Sequence, residues 1–296
     1  MDPNVVAGLD PAALKSLLPA FLAGYIDDAP ASAANRARIT AWVDGWTEAE
    51  VAGVQAELLA LGAEHRVYDA HPLARGLSRE WCKDVLTDVV VEGVDHLAGV
   101  AGPAVVVANH LSYVDTTATD AALAWSGHAA LADRLVTVAG PKVYETLFRR
   151  FASLCLSTLL VPQSSTVAAD ALPPRELARR ARASLDAAEA AVASGRILQI
   201  YPEGTRTRSG RMEPFLRATF RYVEGRTIVP MAQWGTERIF GVDRERLTPG
   251  PYGIRYGAPI RPSDVADGKE ALAAAWRALA GLLPAGMKPE VEEPLR

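Results

Sequence analysis

Cysteine is almost missing: Cys82 and Cys155 are the only two among 296 residues. They stand far apart without metal-ligand spacing, which speaks against a disulfide framework and a zinc site, and two free thiols in a reducing compartment are expected. No apolar run approaches the ~18–20 residues that span a bilayer. The best stretch, 14–26, is short and carries Lys15 and Pro19, and 154–161 is shorter still. The opening MDPNVVAGLD lacks the basic start and apolar core of a secretory signal. An excess of positive charge is missing too. The formal net charge is −4 and the pI about 5.8, which argues against a general nucleic-acid binder. Internal repeats and low-complexity tracts are absent beyond alanine richness, and no G-x-S-x-G nucleophile elbow occurs. The expectation is a cytoplasmic protein that meets a membrane, if at all, as a peripheral visitor on its inner face.

What is present falls into two regions. Residues 1–88 read as helical, with segments near 11–27 and 34–44 and a third capped by Thr47. In the third, Glu48 and Glu50 occupy the first turn, and Val51, Val54, Leu58 and Leu61 recur on one face. The apolar face of 11–27 is a candidate for transient lipid docking, with core packing as the alternative. Trp42, Trp46 and Trp81 carry the same two readings. Residues 89–296 read as an α/β domain. Short β-branched runs at 89–93, 104–109, 134–140, 157–163, 196–204, 226–234 and 252–260 alternate with helical stretches near 115–126, 142–156, 174–195 and 214–224. Such alternation predicts a largely parallel or mixed sheet flanked by helices. Leu272, Trp276, Leu279 and Leu283 predict a last helix over about 264–284.

Two motifs carry chemistry. In VVVANHLSYVD (105–115) a hydrophobic strand ends at Asn109, so His110 stands where strand gives way to loop, the usual place for a ligand site in α/β folds. Asp115 follows at the start of the next helix, where a carboxylate can fix the tautomer of an imidazole and stabilise its protonated form. In QIYPEGTRTRSG (199–210) a buried strand delivers Glu203, Gly204 and Thr205 to a turn followed by Arg206 and Arg208. Glycine permits close backbone approach, and the guanidinium forks suit phosphate. Ser112 reads as a capping or packing residue. His65, His71, His96 and His128 lack motif partners and read as structural or exposed.

These segments resemble, in order, those of the glycerophospholipid acyltransferase superfamily. NHLSYVD (109–115) is similar to its NHxxxxD motif, and YPEGTRTRSG (201–210) to its FPEGTRS motif. VEGVDHL (91–97) resembles the lead-in strand and turn, KVYETLF (142–148) the lysine-containing helix, PFLRATF (214–220) a Pro-Phe-Lys-Lys-Gly segment, and IVPMAQW (228–234) the Val-Pro block with Pro230 in place. The resemblance covers about 89–262. It departs at Gln163 or Ser164, where the family often has arginine, at Ala218, which replaces glycine, and before the core, where membrane-inserting helices are replaced by a soluble-looking helical region. That last feature resembles the plastid glycerol-3-phosphate acyltransferases in architecture.

The resemblance implies direct acyl transfer without metal or cofactor. His110 would be the general base, supported by Asp115, and the substrate hydroxyl would stand in for a catalytic serine. The donor would be acyl-CoA or acyl carrier protein, and the acceptor a glycerophosphate or lysophospholipid. Arg206 and Arg208 would bind the acceptor phosphate, with Lys142 and Arg217 adding positive charge. Glu203 would meet a glycerol hydroxyl or hold the arginines, within a substrate-binding set that includes Gly204 and Thr205. The competing readings are an acyltransferase for a non-phosphate lipid or alcohol, a thioesterase, and a non-catalytic lipid-binding homologue.

Overall fold

The computed structural model describes residues 3–162 and 173–296. The positions of Gln163 and Ser164 lie outside the described residues. Four helices open the fold: α1 (Pro11–Ala23), α2 (Ala29–Asp44), α3 (Glu48–Ala60) and α4 (Pro72–Cys82), with a two-residue strand β1 (Val67–Tyr68) between the last two. The expected cap of α3 is a full capping box. Thr47 Oγ1 accepts from the Glu50 amide at 3.3 Å, and Glu50 returns the bond to the Thr47 amide at 2.7 Å. Helix α1 buries Leu14, Leu18 and Leu22 in the protein core. Its apolar face is thus spent on packing and is not a free lipid-docking surface. Trp46 and Trp81 are buried as well, and Trp42 remains exposed.

The remaining chain alternates strands and helices. It runs through β2 (Leu86–Glu92), α5 (Val94–Ala98), β3 (Ala104–Ala108), α6 (Asp115–Leu123), α7 (Ala129–Arg134) and β4 (Leu135–Ala139). It continues with α8 (Leu147–Leu154), β5 (Thr158–Leu160), α9 (Pro174–Ala193), β6 (Ile197–Ile200) and β7 (Thr227–Trp234). It closes with α10 (Thr236–Ile239), β8 (Gly250–Tyr256) and α11 (Gly268–Leu282). Each of the seven β-branched runs contributes a strand. The stretch near 214–224, expected to be helical, forms a 3₁₀ turn at Arg217–Tyr222.

One mixed sheet has the order β1-β5-β4-β6-β3-β7-β8-β2. The five strands from β5 to β7 are parallel, while β1 and β8 join antiparallel and β2 pairs parallel with β8. The strand from the helical N-terminal region therefore completes one edge of the sheet. β3 explains why the centre is parallel: all five of its residues, AVVVA, are buried. With a side-chain period of two, Ala104, Val106 and Ala108 face the cluster containing α1, α4, α6 and α8, while Val105 and Val107 face α9 and α11. Burying each valine contributes roughly 1.5–3 kcal/mol before entropic costs, so a charge introduced here would break the fold.

Candidate active site

Three adjacent parallel strands, β6, β3 and β7, end on the same edge of the sheet. Parallel pairing forces their exits together, and those exits carry residues 201–207, 109–115 and 235–236. Asn109 locks the centre of this edge. Its side chain donates to the Gln233 carbonyl at 3.0 Å and accepts from the Gln233 amide at 2.9 Å. The Gln233 side chain donates to the Asn109 carbonyl at 2.6 Å. Side chains thus extend the β3–β7 ladder by one step, and the next residue, His110, leaves the sheet at a fixed angle.

His110 Nδ1 and Asp115 Oδ2 are 2.9 Å apart. A carboxylate can only accept, so Nδ1 carries the proton and the Nε2 lone pair is left as a base. The Asp115 side chain is 1% exposed and that of His110 20%. Oδ2 also accepts from the amides of Leu111 at 2.7 Å and Ser112 at 3.0 Å, and Oδ1 accepts from Thr236 Oγ1 at 2.5 Å. Four donors therefore satisfy a buried carboxylate that would otherwise be costly. The ring of Tyr201 stacks on His110, with centroids 4.6 Å apart and an interplanar angle of 25°. Its hydroxyl contacts Thr116 Oγ1 and accepts from Gln199 Nε2, and burial pushes its phenol far above the ordinary range, so it stays a neutral hydrogen-bonding group. Ser112 Oγ points elsewhere, donating to the Phe240 carbonyl at 2.7 Å.

Glu203 takes a position that neither sequence reading anticipated. It is fully buried, and both oxygens accept main-chain hydrogens: Oε1 from His110 at 2.6 Å and Oε2 from Glu213 at 2.8 Å. It therefore corrects the expectation of a carboxylate facing a glycerol hydroxyl. The loop clasps His110 from the other side as well, because the Thr207 amide donates to the His110 carbonyl at 2.9 Å. Burial pushes the Glu203 carboxyl up to about 8, against the opposing pull of the two amides. Gly204 makes the turn with φ +69°. A Cβ there would overlap Leu216 Cδ1. Thr205 is exposed beside it.

The basic residues separate into two groups. Arg206 lies over the ring of Tyr113, with its guanidinium carbon 3.8 Å from the centroid. Arg208 is 78% exposed and faces Asp243 at 3.6 Å. Lys142 and Arg217 are exposed, and among the described residues their side chains form neither a hydrogen bond nor an ion pair. Among the described residues no contact links those two to His110 or Arg206. Sequence reading missed Tyr201, Thr236 and Arg149. Tyr201 adjoins the second motif and was open to notice as an aromatic at a strand end; Thr236 and Arg149 lie far along the chain and carry no local signal. Among the described residues no group of acidic, histidine and cysteine side chains is arranged to hold a metal ion. None of the described helices is long and apolar enough to cross a membrane.

A profile of the acyltransferase family matches residues 88–234, a span that contains His110, Asp115, Glu203 and Arg206. A 1-acyl-sn-glycerol-3-phosphate acyltransferase of Cocos nucifera is 35% identical over 82 residues, which is 27% of this chain and 26% of that protein. The aligned part thus spans about a quarter of that relative's length. The crystal structure of the 1-acyl-sn-glycerophosphate (LPA) acyltransferase PlsC from Thermotoga maritima matches with a TM-score of 0.51 and 19% identity, covering 71% of this chain and 76% of that one. At that identity the likeness is one of fold.

Proposed function

We propose that this chain, whose residues 88–234 match the acyltransferase family, moves a fatty acyl group from a thioester to the hydroxyl of a glycerophosphate-type acceptor. The carrying observation is the state of His110: Nδ1 is committed to a buried Asp115, and Nε2 has no hydrogen-bond partner among the described residues. Among the described residues no side-chain hydroxyl or thiol bonds to that nitrogen, and Ser112 Oγ is engaged by Phe240. The substrate must therefore bring its own hydroxyl.

In this reading, Nε2 removes the acceptor's hydroxyl proton as the oxygen attacks the thioester carbonyl. The carbonyl then re-forms, the C–S bond breaks, and the leaving thiolate takes the proton from the imidazolium. Asp115 stabilises the imidazolium between those two events, and the Tyr201 ring keeps the imidazole plane fixed. The donor is acyl-CoA or acyl carrier protein. The acceptor is 1-acylglycerol-3-phosphate or glycerol-3-phosphate, which the guanidinium of Arg206 near the site favours over a neutral alcohol. Thiol release from oleoyl-CoA, measured with and without lysophosphatidate or glycerol-3-phosphate, tests it. Acceptor-dependent release with formation of the acyl ester is expected. Release at the same rate without acceptor would make the protein a thioesterase, and no release with any acceptor would leave a lipid-binding homologue.

A further inference from the structure

Arg149 of α8 and Arg206 of the loop after β6 converge on one side chain, Tyr113. The guanidinium carbon of Arg149 is 4.9 Å from the ring centroid, that of Arg206 is 3.8 Å away, and Arg149 also donates to the Tyr113 hydroxyl at 3.0 Å. Tyr113 belongs to the loop that joins His110 to Asp115, and Arg206 immediately precedes Thr207, whose amide holds the His110 carbonyl. Both charges are thereby gathered at the rim of the candidate site.

The balance of charge at this spot differs from that elsewhere in the molecule. Arg79 is bidentate to Asp120, Arg75 pairs with Asp133, and Arg38 pairs with Asp84. Around Tyr113 the only carboxylate in reach among the described residues is Glu145, at 3.6 Å from Arg149 and more than half exposed. Arg206 has no carboxylate partner among the described residues. Two permanently charged groups held on one ring repel each other unless an anion bridges them, and ring faces offset only part of that cost. Arg149 is also preset: Thr146 Oγ1 accepts from its Nε at 3.0 Å, and its side chain is only 18% exposed. A held fork recovers more of each hydrogen bond it makes to a ligand than a free one.

We propose that Arg149 and Arg206, joined through Tyr113, form a two-guanidinium site for the phosphomonoester of the acceptor. The proposal rests on the acyltransferase reading for its biological ligand, and it assigns Arg149 a substrate-binding role that neither sequence motif reaches. A phosphomonoester offers three terminal oxygens and up to two negative charges, enough to serve both forks, whereas a neutral glycerol headgroup serves neither.

Full-length wild type, R149A and R149K are assayed with oleoyl-CoA and either 1-oleoyl lysophosphatidate or 1-monooleoylglycerol in the same mixed micelles. R149A is expected to raise the KM for lysophosphatidate about tenfold to a hundredfold, the range of one charged hydrogen bond. The KM values for monooleoylglycerol and oleoyl-CoA stay within about twofold, and R149K recovers part of the loss. An equal change for both acceptors, or none, overturns the site. Thermal unfolding reads the same site without turnover: glycerol 3-phosphate, compared with glycerol at matched ionic strength, raises the Tm of wild type and not of R149A. A wild type that ignores glycerol 3-phosphate while still acylating monooleoylglycerol sinks the anion site and leaves the acyltransferase reading standing. Phosphate-dependent stabilisation without any transfer does the reverse.

Discussion

Thr236 donates its hydroxyl hydrogen to Asp115 Oδ1 at 2.5 Å, although 121 residues separate them. It is the single donor to that oxygen among the described residues, while Oδ2 takes three. β7 pairs with β3 and runs on past the Ala108–Met231 pair, which carries Thr236 over the loop that follows β3. Under the proposed mechanism Thr236 is a positioning residue: it would set the carboxylate plane, and the plane the imidazole. Thr236→Val keeps the shape and removes the donor, leaving a buried carboxylate oxygen unpaired at about 1–3 kcal/mol. The expected outcome is a fall in kcat of roughly tenfold with both KM values nearly unchanged, and recovery in Thr236→Ser. Steady-state kinetics check it, and a Thr236→Val enzyme with full kcat would refute the role.

His110→Ala should lower kcat by about two to four orders of magnitude, the usual cost of losing a general base. Glu203 holds the His110 backbone rather than its ring, so the variant should retain its fold. Asp115→Asn should also impair transfer, because the amide can stabilise the wrong tautomer. Circular dichroism alongside thiol-release kinetics separates lost chemistry from lost structure. A turnover near wild type in His110→Ala removes the mechanism.

Glu203 predicts a pH dependence of stability. Its folded carboxyl sits near 8, above the ordinary value of 4.5. Between those limits the unfolded chain releases the proton and the folded chain keeps it, so unfolding is favoured as pH rises. The contribution is fully present below about pH 4.5 and lost as pH climbs through about 8. Glu203→Gln removes this titration. The Tm difference between wild type and variant should therefore shift steadily in the variant's favour from pH 5 to pH 8. The variant itself carries a constant penalty of about 1–3 kcal/mol, because its amide nitrogen must oppose one of two main-chain donors. A parallel pair of Tm-against-pH curves would contradict the burial argument.

Gly204→Ala tests the turn. Left-handed backbone at φ +69° costs an L-residue about 1–2 kcal/mol, and the new methyl would overlap Leu216. Leu216 is 38% exposed and can swing aside, so most of the loss should come from the backbone. Urea denaturation should show Gly204→Ala destabilised, with Leu216→Ala restoring only a minor part. Full rescue by Leu216→Ala would show that the overlap, not φ, made glycine necessary.

The features that depend on near neighbours were legible in the order of the residues. A continuous apolar run such as AVVVA requires burial on both faces, so a central parallel sheet was legible. Thr47 with Glu50 announced a helix start because capping acts over three residues. His110 and Asp115 were legible for the same reason, being five residues apart across one strand-to-helix turn. Which groups share the site depended on the packing of distant segments. That packing turned Glu203 inward to hold the loop that carries His110, left Lys142 and Arg217 in solvent, and brought in Thr236 and Arg149 from distant segments. Those placements follow from strand order and from one helix packing beside the loop. A charge or hydroxyl has no periodicity that reveals its partner, whereas a buried strand reveals its environment in every residue.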